Sequence, residues 1–443
     1  MKRYESYKES YDSWFGNIPS TWQVNRLKYF SRNVKTGTTP SGSKGDFFSD
    51  GTETWYTPSD INNSTINESS RKVILDAFLQ KELPLFPENS LYLIGIGGTL
   101  GKIGFSEIKA SCNQQINVIE FNKKLIFPKF GFYQFLVIGD TLLKWSNYTT
   151  MPIFTQTNTK NLEILIPSLD EQTAIAQYLD TKTQAIDKKA NLLEKKIGYY
   201  KELRKSIINE TVTKGLDKTA KFQENDLGFN TPLTWSKKRL KDVGFLYSGL
   251  SGKSGDDFNQ DANPNNKGFI PFTNIANNTY LKKDHLGTVV VFDGEKQNKV
   301  KEGDIFFLMS SEGYEDIGKS AVLAENIDDT YLNSFCKGFR IKQKHCNPYF
   351  LNYLLLSDYY RQILIIEGKG FTRINLKMEK INDFEVYLPK KLSEQSDIVT
   401  YLDHKTQTID KMVGNIQNQI TTLKELRKTL INDVVTGKIK VVE

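Results

Sequence analysis

The chain has 443 residues, 38% apolar and 12% aromatic, which is enough for two or three domains that each bury a core. Its 59 Lys and Arg against 52 Asp and Glu leave a net charge of +7, which permits a polyanionic partner without requiring one. No stretch approaches the roughly 18 apolar residues that cross a bilayer, and the opening MKRYESYKESYDSW lacks an apolar signal region, so a cytoplasmic chain with no membrane partner is expected. Cys112, Cys336 and Cys346 have no paired spacing, and His285, His345 and His404 form no spaced pair. The expectation is reduced thiols, no metal and no cofactor.

In chain order, Pro19-Ser20-Thr21-Trp22 and Arg26-Leu27-Lys28 come first. The runs Ser90–Ile96 and Gln115–Phe121, broken by Gly and Asn turns, predict strands. Pro128 opens an apolar run as proline does in the first turn of a helix. LEILIPSLDEQ (162–172) then leads into a long segment without proline. The same order returns: Pro232-Leu233-Thr234-Trp235 with Arg239-Leu240-Lys241, strand-like runs Thr288–Phe292 and Ile305–Ser310, a helix start at Pro348, and FEVYLPKKLSEQ (384–395).

The long segments themselves repeat. Residues 171–215 and 394–438 align without a gap at an offset of 223, with 22 of 45 positions identical, including EQ, YLD, KTQ, IDK and KELRK. Leu179, Ile186, Leu193, Tyr200 and Ile207 recur every seven residues, and Leu402, Ile409, Ile416, Leu423 and Leu430 match them. Ile175, Ala190, Ile197 and Leu203, with Ile398, Val413, Ile420 and Leu426, widen each stripe. Both segments are predicted as long helices whose stripes pack on a helical partner, as in a coiled coil. About 36 helical residues make a rod of roughly 54 Å.

The expected fold is α+β: two mixed α/β domains separated by two long antiparallel coiled-coil helices, with pseudo-two-fold internal symmetry. The boundaries are 1–169 for the first domain, 170–215 for the central helix, 216–392 for the second domain and 393–443 for the last helix. A two-fold reader suits duplex DNA, whose half-sites repeat about every 34–36 Å. The helices match while the domains differ, so the predicted target is bipartite and asymmetric.

The chain resembles the specificity (S) subunit of type I restriction–modification systems over essentially its whole length. The resemblance rests on WFGNIPSTWQVNRLK, GIGGTLGKIG and NQQINVI, both EQ…YLD…ID…KELRK helices, and GKGFTRINLKM. It implies a non-catalytic subunit whose two target-recognition domains each read half of a split double-stranded DNA target. It further implies helices that set the spacer and dock two adenine methyltransferase (M) subunits, with motor-nuclease (R) subunits assembling on that core.

Two motifs suggest an enzyme instead. Gly313-Tyr314-Glu315-Asp316-Ile317-Gly318-Lys319-Ser320 fits the phosphate-loop pattern, but Glu315 and Asp316 would repel phosphate and a strand rather than a helix is expected to follow. Asn347-Pro348-Tyr349-Phe350 resembles the Asn-Pro-Pro-Tyr motif of amino-methyltransferases but lacks the second proline, and reads as a helix start. A stand-alone DNA-modifying or ATP-using enzyme is therefore the first alternative, and a coiled-coil scaffold that does not touch DNA the second.

The candidate DNA-contacting residues are polar or basic and lie on loops. Lys102 and Lys319 follow matching Gly-rich turns and are expected at phosphates; Lys369, Thr372, Arg373 and Lys377 lie in a Gly-hinged basic stretch. Asn113, Gln114 and Gln115, with Asn333 in the matching place, carry amides suited to adenine edges. Thr155 and Gln156 are placed in the loop equivalent to Thr372 and Arg373.

Overall fold

The computed structural model describes residues 2–10, 15–41, 46–142, 152–260, 263–342, 344, 346–370 and 372–441. His345 lies outside them. The chain forms two compact units, residues 1–194 with 417–443 and residues 195–416. The divisions fall inside the two long helices, Leu169–Lys214 and Leu392–Val435, so each unit holds the start of one helix and the end of the other.

In the first unit, a five-stranded sheet runs in the order Ser31–Thr36, Ile116–Phe121, Ser90–Ile94, Ile103–Ser106, Ser64–Thr65. Its first three junctions are antiparallel and its last is parallel. A three-stranded sheet places Glu53–Tyr56 between Ser111–Cys112 and Arg71–Val73. The helix Pro128–Leu142 joins the core through Phe130, Phe132, Phe135 and Ile138, against Leu91, Leu93 and Phe105 from the sheet. Strands buried on both faces read as continuous apolar runs rather than alternating ones, as at Leu91–Ile94.

The second unit repeats this plan strand for strand. Its five-stranded sheet runs Gly244–Ser248, Cys336–Ile341, Ile305–Leu308, Ser320–Leu323, Tyr280–Leu281, with the same senses. Its three-stranded sheet places Asn266–Ile270 between Gly287–Val290 and Thr330–Leu332. The helix Pro348–Leu356 takes the place of Pro128–Leu142. The sequence runs expected to be strands are strands, slightly shorter than their apolar stretches.

Each domain is fastened to the start of a long helix by one set of contacts. Trp22 Nε1 donates to Glu171 (3.1 Å), and Trp235 Nε1 donates to Glu394 (2.8 Å). The next residue, Gln172 or Gln395, is fully buried; it accepts from the backbone N–H of Phe127 (2.8 Å) or Asn347 (2.7 Å) and donates to the carbonyl of Pro167 or Pro389. Two turns on, Tyr133 donates to Asp180 (2.6 Å) and Tyr353 to Asp403 (2.7 Å). All six helix positions are related by the same offset of 223.

The other end of each helix closes the opposite unit. Ile431, Val434 and Val435 join the first core, and Ile208 and Val212 the second. Gly437 and Gly215 follow with φ of +74° each, as a left-handed helix stop requires. In the first unit Arg427 meets Asp187 (3.0 Å) and Lys424 meets Glu194 (3.6 Å), an antiparallel progression. Arg204 meets Asp410 (3.3 Å) in the second unit, the same pair displaced by 223.

The seven-spaced stripe divides between two jobs. Leu179 and Leu402 are fully buried in the domain cores, and Ile207 and Leu430 pack against those cores. Ile409 and Ile416 are buried, while Ile186, Leu193, Tyr200 and Leu423 are half-buried. Leu203 and Leu426, expected to widen the stripe, are instead exposed (46% and 53%). A straight helix drifts about 20° per heptad against a seven-residue repeat, so near each C-terminal end the inward position passes to Arg204 and Ile208, or Arg427 and Ile431.

Asp403 also accepts from Tyr280 (2.6 Å), so it serves two phenols where Asp180 serves one. Burial above all pushes the Tyr353 hydroxyl up to about 12, keeping it a neutral donor. Asp403→Ala is expected to cost about 2–4 kcal/mol and Asp180→Ala about 1–2 kcal/mol, since an orphaned buried donor loses its full solvation. Thermal melting of the whole chain should show the larger drop for Asp403→Ala; equal drops would contradict the account.

Candidate nucleic-acid interface

Loops from both sheets of the first domain interlock at one end of the five-stranded sheet. Gly95 N–H donates to Gln115 O, Phe154 N–H to Gly95 O, Gly97 N–H to Pro152 O, and Gly37 N–H to Ile116 O. A Cβ on Gly95 would lie 2.7 Å from the Phe154 carbonyl, so glycine is required for that closeness. The cluster thus brings Asn113, Gln114, Gln115 and Thr155 into one neighbourhood.

Most of those side chains build the loops themselves. Asn113 is buried; its Oδ1 accepts from Gln115 N–H and its Nδ2 donates to Gln115 Oε1 (both 3.1 Å). Thr155 caps the helix Gln156–Asn161 by accepting from Asn158 N–H (3.1 Å), and the Gln156 amide donates to the Val34 carbonyl. Gln114 is exposed, with its Oε1 accepting from the Thr39 hydroxyl. Lys102 is half-buried.

In the second domain, Asn333 repeats the turn of Asn113, accepting from Phe335 N–H (2.9 Å). Phe335, half exposed, stands where the first domain has Gln115. Lys369 and Asn375 exchange both backbone hydrogen bonds (3.1 and 3.0 Å), closing a hairpin around Gly370. Gly370 has φ +153°, and a Cβ there would lie 1.9 Å from the Arg373 carbonyl. The hairpin is tied to the Gly-rich loop by Ser310 and Ser311 pairing with Asn375 and Ile374. The Arg373 guanidinium lies over the Phe335 ring, 4.8 Å from its centroid. Lys369, Thr372 and Lys377 are exposed beside it in sequence.

The loop Gly313–Lys319 runs into the strand Ser320–Leu323 and not into the helix that a nucleotide loop opens. Lys319, expected at DNA phosphate, instead pairs with Asp316 (2.7 Å) and approaches the Ala276 carbonyl (3.4 Å). Arg361, buried on the helix Asp358–Glu367, supports the same loop by donating to the Glu315 carbonyl (3.0 Å). Burial pulls its guanidinium down to about 10. Asn347 is a helix cap, accepting from Tyr349 N–H (2.9 Å) and Phe350 N–H (3.3 Å).

One register is corrected. Ile153 bridges Ile96 as Asn375 bridges Ser310, and Phe154 binds Gly95 as Leu376 binds Met309. Thr155 and Gln156 therefore match Lys377 and Met378, not Thr372 and Arg373. The residues matching Thr372 and Arg373, at 150 and 151, lie outside the described residues.

Sequence reasoning missed Phe335, Arg361 and two clefts beside the KELRK segments. In the second unit Arg204, Lys205, Ile208 and Asn209 line a cleft of about 410 Å³; in the first, Arg427, Lys428, Ile431 and Asn432 line one of about 630 Å³. The repeated KELRK…IN letters were the available signal.

A family model described as the type I restriction modification DNA specificity domain matches residues 19–196 and 232–422. The MjaVIII type I restriction enzyme specificity subunit of Methanocaldococcus jannaschii is 23% identical over 442 residues, covering 99% of this chain and 96% of its own. The EcoBI specificity subunit of Escherichia coli is 21% identical over 373 residues, covering 80% and 74%. Among solved structures, a chain from work on complex assembly and conformational transition of the type I R-M system superposes with a TM-score of 0.73 at 17% identity, covering 95% of this chain and 99% of that one. The HsdS subunit from Thermoanaerobacter tengcongensis superposes at 0.54, also at 17% identity, covering 95% and 98%. These likenesses establish a shared fold.

The loop geometry predicts that millimolar MgATP leaves the melting temperature of the chain unchanged. A ligand at 100 times its Kd would stabilise by about 2.7 kcal/mol, so a clear upward shift would contradict the strand-and-turn reading.

Proposed function

The chain belongs to the type I restriction–modification DNA specificity family, and from that premise we propose that it reads a bipartite, asymmetric duplex target, one half-site per domain. As a specificity subunit it is a recognition component and not an enzyme. The observation that carries the proposal is the duplication of a whole domain plan whose fastenings repeat while its loop tips differ. Equal frames with unequal tips suit two different half-sites. The residues 1–169 and 216–392 are the two target-recognition domains, and the long helices set the unread spacer.

Adenine methyltransferase subunits dock on this chain, and motor-nuclease subunits join them. The two clefts beside KELRK present the same four helix positions twice, Arg204, Lys205, Ile208 and Asn209 in one and Arg427, Lys428, Ile431 and Asn432 in the other, which suits two copies of one partner. The lysines of the loops, half-buried Lys102 among them, supply phosphate contacts, and exposed amides supply base contacts.

Binding of the complex to its target and to a scrambled duplex, over a salt series, tests this. Lys102→Ala is expected to weaken both duplexes alike and reduce the salt slope by about 1. Gln114→Ala is expected to lower discrimination at one position by roughly 1–3 kcal/mol. Binding with neither sequence preference nor salt dependence would favour a scaffold instead.

A further inference from the structure

We propose that Arg373, held over the ring of Phe335, reads a guanine in the half-site of the second domain; this rests on the functional reading above and names a base for it. Three observations converge on it. The guanidinium lies over a half-exposed aromatic ring, 4.8 Å from its centroid, a contact that holds its position beside the ring face. Its backbone is equally fixed, because the Lys369–Asn375 hairpin closes through Gly370 in a conformation only glycine adopts. Among the described residues no carboxylate pairs with it, whereas Lys319 on the adjoining loop pairs with the Asp316 carboxylate and Arg361, on the helix behind that loop, donates to the Glu315 backbone carbonyl.

A phosphate contact needs charge but little orientation, and the exposed Lys369 and Lys377 supply charge without Arg373. A planar fork of donors held in place by an aromatic neighbour matches the O6 and N7 acceptors that guanine presents in the major groove. The first domain has Gln115 where the second has Phe335, and so lacks this platform.

The test uses the complex of this chain with its methyltransferase, mapping methylated sites by long-read sequencing and measuring duplex binding over a salt series. Arg373→Lys keeps the charge but loses the fork. It should relax one guanine position of one half-site by roughly 5- to 150-fold and leave the salt slope unchanged. Phe335→Ala should relax the same position by a few-fold, through loss of the platform. A uniform loss across sequences with a shallower salt slope would make Arg373 a phosphate anchor and overturn the proposal. So would an unchanged motif, or relaxation at a base other than guanine. If the unaltered complex directs no split motif at all, the functional reading fails and this inference fails with it.

Discussion

The structure depends on the Glu-Gln step at the start of each long helix. Glu171 and Glu394 take a tryptophan indole, and Gln172 and Gln395, fully buried, bind the backbone where the domain's own helix begins. A buried side-chain amide has two donors and an acceptor with strict directions, so satisfying it fixes orientation as well as position. Tyr133–Asp180 and Tyr353–Asp403 repeat the constraint two turns along. Because all these partners sit at equivalent helix positions, each domain is held to its helix in the same way.

That constraint frees the loop tips to vary. The sheets position the tips through backbone hydrogen bonds, which are indifferent to side-chain identity: Gly95 to Gln115 in one domain, Leu376 to Met309 in the other. The asparagine turns at Asn113 and Asn333 persist because they shape the loop, while the residues they present, Gln115 and Phe335, differ. Between equivalent bonds at Ile94–Lys102 and Leu308–Lys319, the Gly-rich loop is three residues longer in the second domain. Recognition can thus diverge without disturbing the fastening to the helices.

The helices and domain plan were legible in the sequence because periodicity and duplication are local signals. The seven-residue recurrence from Leu179 to Ile207 and its copy mark the rods directly. The fate of Leu203 and Leu426 was not legible, because helical drift decides whether a position faces a partner helix or water. Pro128, Pro348 and Asn347 read correctly as helix starts, since capping chemistry lies within a few residues. The candidate contacts were harder. Asn113 spends its amide on Gln115, two residues on, and Gln156, the first residue of a short helix, donates its amide to the Val34 carbonyl, far away in sequence. Lys319 looks like a phosphate ligand until Asp316, three residues away, folds onto it. Arg373 gains its importance only from Phe335, 38 residues earlier, which no spacing rule connects to it.

The central claim is that each domain reads one half-site independently on a shared helical frame. Replacing residues 216–392 with the corresponding domain of another family member, then mapping adenine methylation in cells carrying the chimera and its methyltransferase, tests it most directly. The account predicts that one half of the methylated motif changes while the other half and the gap between them stay the same. A motif altered in both halves, or unaltered in either, from an active complex would contradict it.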